Sequence, residues 1–359
     1  MKNQVAMQFK QEGGSVMSLE KLLEVGYLQW AQQPADNQPE YLQAPRLTVT
    51  LIGEDYPGKT PSLWNKVFRQ FGFDDRAVML VVKPENLGGA VEAMRADPRY
   101  PGGGIGVGLK KEISRYLDEL EPLATLSQAV NVVVKAEDRL KGYNTDGPGF
   151  TTALAEFFQS RGESLGEKKI IVLGAGGTGN AIVFSLAQQG ARLTILNRTV
   201  ERAKQLAQEV NAYFGLTGTS VVQAGGEDQV VSVVATADVV VNVSLKGAQG
   251  ELQDYSALAE VELPATAATI QKNLERAEQI LSTIPTSAII ADIVLRDGKT
   301  PLIASAVARG LTVLDGVPMV VNQGIEAFWL VNGARLKDSD ITKEDVARLF
   351  KQRQTAASS

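Results

Sequence analysis

Three segments of the chain contain residues whose types and spacing suit the oxidation of an alcohol. Lys110 ends a glycine-rich stretch, Asp146 lies in the segment Gly142–Gly147, and residues 174–179 have the sequence Gly-Ala-Gly-Gly-Thr-Gly. An ammonium and a carboxylate can share one substrate hydroxyl, and a glycine-rich loop can hold the phosphates of a dinucleotide. Because proton handling beside a hydride carrier is the chemistry of an alcohol dehydrogenase, the three segments together predict that activity.

The composition excludes several other chemistries. The 359 residues include no His and no Cys, which rules out His-based or thiolate zinc sites and Ser-His-Asp hydrolysis, so we expect no metal. The net charge of −5 and the absence of a Lys/Arg block argue against a nucleic-acid partner. The first ten residues lack the apolar core of a signal peptide, and no stretch is long and apolar enough to span a bilayer. We therefore expect a cytoplasmic protein that does not contact a membrane.

The elements that must position these residues alternate between strands and helices. A chain of this length is long enough to form two hydrophobic cores. Alternation of this kind predicts an α/β fold of two domains, one of them a Rossmann domain with a doubly wound parallel sheet. The pattern predicts strands at 47–52, 77–82, 168–173, 192–196 and 238–243, and helices at 87–95, 150–162, 180–190 and 270–284.

The glycine-rich loop has the context that a dinucleotide site requires, because a predicted strand enters it and a predicted helix leaves it. The first glycine permits the tight turn, the second lets the backbone approach the pyrophosphate, and the third lets the helix pack on the strand. The alternative is a glycine-rich connection without a ligand. We predict that the cofactor is bound here by Gly174, Gly176, Gly177, Thr178 and Gly179.

The choice between NAD and NADP depends on the end of the next strand. NAD sites usually place Asp or Glu there, whereas this chain has Asn197, Arg198 and Thr199, with Arg202 one helical turn further on. Arg198 can bind a 2′-phosphate with its planar fork, and Thr199 can add a hydroxyl. These residues predict NADP. The alternative, arginines that only face solvent, is more credible for Arg202 than for Arg198.

Further motifs give the chain a family resemblance. In order, they are Ala129-Val-Asn131, Tyr143-Asn-Thr-Asp-Gly147, the loop 174–179, Asn197-Arg-Thr-Val-Glu-Arg-Ala203, Val241-Asn-Val-Ser244 with Gly247, and Asp315-Gly-Val-Pro-Met-Val-Val-Asn-Gln323. Over roughly residues 47–335 the chain resembles the shikimate dehydrogenase family. The resemblance implies an NADP-dependent enzyme that interconverts a ring hydroxyl and a ketone on a small cyclic substrate such as shikimate or quinate. Monomer and homodimer both stay open.

The resemblance also implies roles for individual residues. Counting back from Asp118 and Asn131 places Lys110 at the family's catalytic Lys, and Asp146 at its catalytic Asp. Because Lys110 adjoins Lys111, an ordinary surface ion pair is the alternative for it. Implied substrate contacts are Thr60, Asn131 and Gln323, and further cofactor contacts are Asn242, Ser244 and Gly316. The implied domains are an N-terminal extension at 1–46, a substrate and catalytic domain at 47–147 with 316–359, and the NADP-binding Rossmann domain at 148–315.

Departures from the family pattern lie where the substrate is expected. Gly58 replaces the first Ser of a Ser-x-Ser-Pro motif, Gly104 and Gly106 replace an Asn and a Thr, and Leu295 replaces a Tyr. Trp64 stands where a His is usual. Since the Ser pair and the Tyr hold the carboxylate in the family, we predict that most of this carboxylate clamp is lost and that the pocket is larger and less polar. A larger cyclic hydroxy compound is therefore a competing substrate.

Two functions of other kinds also remain open. One is a nucleotide-binding regulatory pseudoenzyme on the same fold, which would have little reason to keep both Lys110 and Asp146. The other is a one-carbon dehydrogenase acting on a pterin, against which the Asn-Thr-Asp-Gly motif and the motif ending in Gln323 speak. The segment 251–285 is longer than the family usually has, and its apolar stripe predicts a helix packed on the sheet in preference to a lid.

Overall fold

A computed structural model describes residues 16–32, 36–56, 58–218 and 221–357 of the chain. The chain forms two compact units. Unit 1 contains the described residues up to Thr145 together with those from Gly324, and unit 2 is Asp146–Gln323. The predicted boundaries differ from this division by two residues at the first crossing and by eight at the second. The segment on which the absence of a signal peptide was predicted lies outside the described residues.

Unit 1 begins with short elements and contains two sheets. Its elements in chain order are α1 (Leu19–Glu24), β1 (Leu28–Trp30), β2 (Leu47–Ile52), α2 (Thr60–Gln70), β3 (Arg76–Val82), α3 (Leu87–Ala96), β4 (Gly102–Gly104), β5 (Glu119–Leu120), α4 (Pro122–Ser127), β6 (Val132–Ala136) and β7 (Arg139–Tyr143). Short 3-10 helices lie at Pro39–Gln43, Pro84–Asn86 and Glu112–Tyr116. One sheet has the order β1-β3-β2 and the other the order β4-β6-β7-β5.

The edge of one sheet lies directly against the edge of the other. A Cβ atom on Gly103 of β4 would lie 1.8 Å from the carbonyl oxygen of Val49 in β2. Just beyond β4, the amide of Gly106 donates to the carbonyl of Leu51 at 2.8 Å. Only glycine fits at residue 103, because any side chain would overlap the backbone of β2. This contact fixes the segment that leads to Lys110.

The predicted N-terminal extension is built into unit 1. Leu19, Leu22 and Leu28 are almost completely buried in the same hydrophobic cluster as Leu47. Strand β1 pairs antiparallel with β3, with Leu28 opposite Val82. The prediction that residues 1–46 stand apart from the domain is therefore wrong for the described residues of that segment. Sequence analysis missed this because β1 is only three residues long.

Unit 2 alternates helices with parallel strands. Its elements are α5 (Asp146–Gln159), β8 (Lys169–Leu173), α6 (Gly177–Gln188), β9 (Arg192–Leu196), α7 (Val200–Phe214), β10 (Gln223–Gly225), α8 (Val230–Val234), β11 (Val239–Asn242), α9 (Ala267–Leu281), β12 (Ile289–Asp292), α10 (Pro301–Ala308) and β13 (Thr312–Leu314), with a 3-10 helix at Glu227–Gln229. Helix α11 (Val317–Lys337) begins in unit 2 and ends in unit 1, which also contains α12 (Lys343–Ala357).

The sheet of unit 2 confirms the predicted fold class. Its strand order is β10-β9-β8-β11-β12-β13, and all neighbouring strands are parallel. This is the doubly wound order, in which the connection reverses direction between β8 and β11. In such sheets the ligand crevice lies beyond the carboxyl ends of the strands at that reversal, which is where the loop 174–179 follows β8.

Two predicted helices differ instructively from the structure. The helix predicted at 150–162 begins at Asp146, because Asp146 and Gly147 of the Asn-Thr-Asp-Gly segment belong to its first turn. The helix predicted at 270–284 is α9, whose residues Ala277 and Ile280 are buried in one cluster with Val240 and Ile290 of the sheet. That segment packs on the sheet, as predicted. Within the described ranges, no helix combines the length and the apolar composition needed to cross a bilayer.

Candidate active-site residues

Asn131 fixes the segment that precedes Asp146. Its side chain is 6% exposed. Its Oδ1 accepts from the amide of Thr145 at 2.8 Å, and its Nδ2 donates to the Thr145 hydroxyl at 2.9 Å. Asn144 adds a second anchor, because its Nδ2 donates to the Ser127 hydroxyl and to the Ala129 carbonyl, both at 3.0 Å. The chain therefore reaches Asp146 through Asn144 and Thr145, both of which are held by side-chain hydrogen bonds.

Lys110 and Lys111 lie in different surroundings. Lys110 is half-buried and Lys111 is exposed. The carbonyl of Lys110 accepts from the amide of Val130 at 2.8 Å, which places Lys110 beside the short segment that leads through Asn131 into β6. Unit 1 thus brings together two predicted site residues, Lys110 and Asn131, by backbone bonding. The difference in burial supports Lys110 over its neighbour as the functional lysine.

Thr60 and Trp64 share a helix but differ in surroundings. Thr60 is the first residue of α2 and is half-buried. Trp64 is 1% exposed, and its ring meets the Phe328 ring edge to face with centroids 5.2 Å apart. Trp64, which stands where the family usually has a His, is therefore a core residue of unit 1. Its aromatic contact and burial explain a large apolar side chain at this position.

The glycines that replace polar residues do not leave empty space. A Cβ on Gly58 would lie 2.6 Å from Cε of Met79, and a Cβ on Gly106 would lie 2.6 Å from Cγ2 of Ile52. A Cβ on Gly104 would lie 3.1 Å from the side chain of Thr50. Neighbouring side chains occupy these three places. The prediction that the glycines enlarge the pocket is therefore wrong at each of them.

Asp146 begins helix α5 of unit 2 and is 5% exposed. The next residue explains why the motif ends in glycine, since a Cβ on Gly147 would lie 2.2 Å from the carbonyl oxygen of Ala181 in α6. Further along, a Cβ on Gly149 would lie 2.6 Å from Cβ of Gln323 in α11. Helix α5 thus touches both α6 and the turn of α11 that carries Gln323. Close helix packing places Asp146 and Gln323 on neighbouring helices.

The glycine loop has the geometry expected of a dinucleotide site. Gly174 has φ +122°, and a Cβ there would lie 3.0 Å from the amide of Ser244. A Cβ on Gly179 would lie 2.8 Å from Cγ2 of Val243, so this glycine lets α6 pack against β11. A Cβ on Gly176 would meet nothing within 4 Å. Gly176 is therefore not required by packing, which is consistent with a place kept open for a phosphate.

The first turn of α6 suits an anion. Gly176 is the N-cap and supplies no side-chain hydrogen bond, so Gly177 and Thr178 begin the helix without a side-chain cap. Unpaired amides and the helix dipole at such an end favour a negatively charged ligand. Asn197 ties the loop to the end of β9, because its Oδ1 accepts from the amide of Ala175 at 3.2 Å. The donor set fits a pyrophosphate.

Arg198, Thr199 and Arg202 follow β9 directly and are exposed. Thr199 is the N-cap of α7, although its side chain makes no capping hydrogen bond. The Asn197 side chain holds this corner by donating from Nδ2 to the Thr199 carbonyl at 2.9 Å. The two guanidinium groups and the hydroxyl are accessible at the place where a ribose 2′-substituent is expected.

Asn242 shapes the loop after β11. It is completely buried, and its Oδ1 accepts from both the amide and the hydroxyl of Ser244. Its Nδ2 donates to the carbonyl of Lys246 at 2.9 Å and to Asp292 Oδ1 at 3.0 Å. Since the whole side-chain amide is used within the protein, we assign Asn242 to positioning Ser244.

Gly316 is required by the close approach of two backbone segments. A Cβ on Gly316 would lie 2.7 Å from the carbonyl oxygen of Ile293.

Sequence analysis missed two buried charged residues near this loop. Asp292 is 1% exposed and accepts from the Thr300 hydroxyl at 2.7 Å and from the Val294 amide at 3.0 Å. Burial raises the pKa of Asp292 to about 6, although these hydrogen bonds act in the opposite direction. Lys246 pairs with Glu227 at 2.9 Å, and burial lowers its pKa. The sequence signal for Asp292 is its place at the end of the apolar run 288–291.

Both units contain residues that match known protein families. Residues 56–133 match the shikimate dehydrogenase substrate binding domain, and residues 156–249 match the family described as shikimate / quinate 5-dehydrogenase. The chain is 32% identical over 275 residues to the shikimate dehydrogenase (NADP(+)) of Bacillus cereus, covering 76% of this chain and 88% of that protein. It is 31% identical over 274 residues to the enzyme of the same name from Pyrococcus abyssi, covering 76% and 87%.

Solved structures show the same architecture. Shikimate 5-dehydrogenase from Thermus thermophilus, in complex with NADP(H) and shikimate, is 25% identical with a TM-score of 0.63, covering 86% of this chain and 99% of that one. The ligand-free 5-ketofructose reductase of a Gluconobacter species is 25% identical with a TM-score of 0.64, covering 86% and 98%. By its sequence identity and coverage, the chain is a member of the shikimate dehydrogenase family, an alcohol-type oxidoreductase.

Proposed function

We propose that the protein is an NADP-dependent dehydrogenase that interconverts the ring hydroxyl of shikimate and the corresponding ketone. The observation that carries the proposal is the anchoring of the Asn-Thr-Asp-Gly segment. Asn131 bonds both the amide and the hydroxyl of Thr145, which fixes the backbone immediately before the buried Asp146 at the start of α5. A carboxylate held in this way suits the binding of a hydroxyl more than the solvation of a surface turn.

NADP, held by the glycine loop after β8, would supply the acceptor for the hydride that leaves the carbinol carbon. Before the transfer, the substrate hydroxyl donates a hydrogen bond to the carboxylate of Asp146. Lys110 then takes the proton of that hydroxyl as the general base. In the reverse direction Lys110 returns the proton to the carbonyl oxygen. With no His in the chain, a lysine is the natural proton carrier for this step.

The cofactor preference is supported by Arg198 and by the loop after β8. The open place at Gly176 and the uncapped start of α6 suit the pyrophosphate. Arg198 is exposed and carries no carboxylate beside it in the sequence Asn-Arg-Thr, so a 2′-phosphate meets attraction and no repulsion. The curated relatives are NADP(+) enzymes, which agrees with this preference.

The matched pair of lysines tests the catalytic part of the proposal. Lys110→Ala should lower the turnover of shikimate with NADP⁺ by about 10²–10⁴-fold, because removal of a proton-transfer group has this effect. Lys111→Ala, which removes the adjacent exposed charge, should leave turnover near that of the unchanged protein. NADPH binding, followed by its fluorescence, should be the same in all three proteins. Equal turnover in the two variants would remove Lys110 from the mechanism.

A second candidate is the reduction of a keto sugar that has no carboxylate. The observation that favours it is the loss of clamp residues at Gly58 and at Leu295, whose side chain is 53% exposed. The Gluconobacter reductase with the same fold shows that such a substrate is compatible with the architecture. NADPH oxidation measured with 5-ketofructose and with 3-dehydroshikimate separates the two candidates. A shikimate-type dehydrogenase should have the higher kcat/KM for 3-dehydroshikimate, and a keto-sugar reductase should have the higher kcat/KM for 5-ketofructose.

A further inference from the structure

Tyr56 lies across two of the glycines that replace hydroxyl-bearing residues. Its ring carbon Cε2 lies 3.3 Å from the place of a Cβ on Gly58, and its hydroxyl lies 2.9 Å from the place of a Cβ on Gly106. One aromatic side chain therefore covers the positions where the family has a Ser and a Thr. The two glycines and Tyr56 form a single exchange, since a side chain at residue 106 would overlap the tyrosine hydroxyl and one at residue 58 would press against the tyrosine ring.

The hydroxyl of Tyr56 remains accessible. Tyr56 is only partly buried, and among the described residues no group forms a hydrogen bond with its hydroxyl. Other hydroxyls of unit 1 are enclosed as well as unpaired, namely those of Thr48, Thr50 and Tyr100. The Tyr56 oxygen does not belong to that enclosed group. An unpaired phenol with an accessible oxygen is ready to bond a ligand.

The Tyr56 hydroxyl lies close to the two segments of unit 1 that contain Thr60 and Lys110. Tyr56 and Gly58 precede Thr60 at the start of α2, and Gly106 precedes Lys110. Gly106 is held against β2 by its bond to the Leu51 carbonyl. The phenol oxygen thus lies where the Thr60 segment meets the Lys110 segment, on residues whose family counterparts face the substrate.

We propose that the Tyr56 hydroxyl donates a hydrogen bond to an oxygen of the ring substrate, in place of the hydroxyls that residues 58 and 106 lack. This rests on the function proposed above and identifies a substrate-binding residue that the family pattern does not contain. Burial raises the pKa of Tyr56, which keeps the phenol neutral and able to donate throughout the physiological range. A neutral donor can bond either the carboxylate or a hydroxyl oxygen of a shikimate-like ring.

The test compares two tyrosines of unit 1. Tyr56→Phe should raise the KM for shikimate about three- to tenfold, as loss of one hydrogen bond to a ligand does, with the KM for NADP⁺ unchanged. Tyr100→Phe is the matched control, because it removes an unpaired hydroxyl that is completely enclosed within the same unit, and it should leave both constants unchanged. Shikimate methyl ester identifies the accepting oxygen: its neutral carbonyl accepts a weaker hydrogen bond than a carboxylate, so the effect of Tyr56→Phe should be smaller with the ester if the carboxylate is bound and equal if a ring hydroxyl is bound.

The outcomes separate this inference from the proposed function. If the unchanged protein oxidises shikimate and Tyr56→Phe has the same KM, the inference is overturned while the function stands. If the unchanged protein neither binds nor oxidises shikimate, the proposed function fails and this inference fails with it. Thermal unfolding of Tyr56→Phe and Tyr100→Phe should match that of the unchanged protein, so that a raised KM reports the lost hydroxyl and not a disturbed fold.

Discussion

The buried carboxyl of Asp292 predicts a specific dependence of stability on pH. Its pKa is raised from 3.8 to about 6, chiefly by burial. Between pH 4 and pH 6 the unfolded chain has released this proton and the folded protein retains it. Folding is therefore less favourable as pH rises through this window, and the full penalty is present above pH 6. A shift of about two units corresponds to about 3 kcal/mol.

Asp292→Asn removes the titration and keeps the shape of the side chain. An amide oxygen can still accept from Asn242 and from the Val294 amide. The new amide can donate to the Thr300 hydroxyl, which now accepts. We therefore expect the variant to fold and to lack the part of the pH dependence that belongs to residue 292.

The assay is urea unfolding of both proteins at a series of pH values from 4 to 8. The free energy of unfolding of the unchanged protein minus that of the variant should fall by about 3 kcal/mol between pH 4 and pH 7 and stay level above it. The difference cancels the other titrating groups, which the two proteins share. A difference that is constant across the series, or one that rises with pH, would refute the account of Asp292.

Two further predictions concern the cofactor. Arg198→Ala should weaken NADPH binding by about 1.5–3 kcal/mol and NADH binding much less, because only the 2′-phosphate loses a charge-assisted bond. Arg202→Ala should have a smaller effect on NADPH binding. Fluorescence titration measures both affinities, and equal losses for the two nucleotides would contradict the role of Arg198. Gly176→Ala should lower the affinity for NADPH with little change in the unfolding temperature, since the new Cβ would meet no described atom within 4 Å. Gly179→Ala should lower the unfolding temperature, because its Cβ would overlap the side chain of Val243. The reverse pattern would show that Gly176 is a packing residue.

The Rossmann half of the molecule was predictable because its signals are local. Strand β9 occupies the predicted 192–196, and the helix after Gly174–Gly179 begins within the loop as the dinucleotide motif requires. Continuous apolar strands joined by amphipathic helices determine a parallel sheet almost by themselves. Arrangement of the sheet followed from the same pattern, since right-handed crossovers leave few orders open.

The substrate side was less predictable because its features depend on long-range packing. The absence of side chains at Gly58 and Gly106 suggested open volume, yet Met79 fills the place beside Gly58, and Ile52 and Tyr56 fill the place beside Gly106, from other parts of the chain. Nothing in the sequence near a glycine states which distant side chain will cover it. Sequence comparison with a family therefore identifies which group is lost more reliably than it identifies what replaces it.

The buried network around Asp292 was missed for a similar reason. Asn242 is 50 residues away from Asp292 in the chain and meets it because β11 and β12 are adjacent in the sheet. Thr300 is 8 residues away and meets it as the N-cap of α10. Motif matching placed Asn242 among the cofactor residues, whereas its complete burial assigns it to the loop. Burial of a polar side chain is a tertiary property, and the residue types alone do not express it.

The central claim is that this protein transfers a hydride between NADP and a shikimate-type ring, with Lys110 and Asp146 handling the hydroxyl. The most direct measurement is the steady-state formation of NADPH from NADP⁺ and shikimate by the unchanged protein, beside the same assay with Asp146→Ala. The account predicts shikimate-dependent NADPH formation that falls by about 10²–10⁴-fold in the variant while NADPH still binds. No NADPH formation with shikimate, or equal rates in the two proteins, would contradict it.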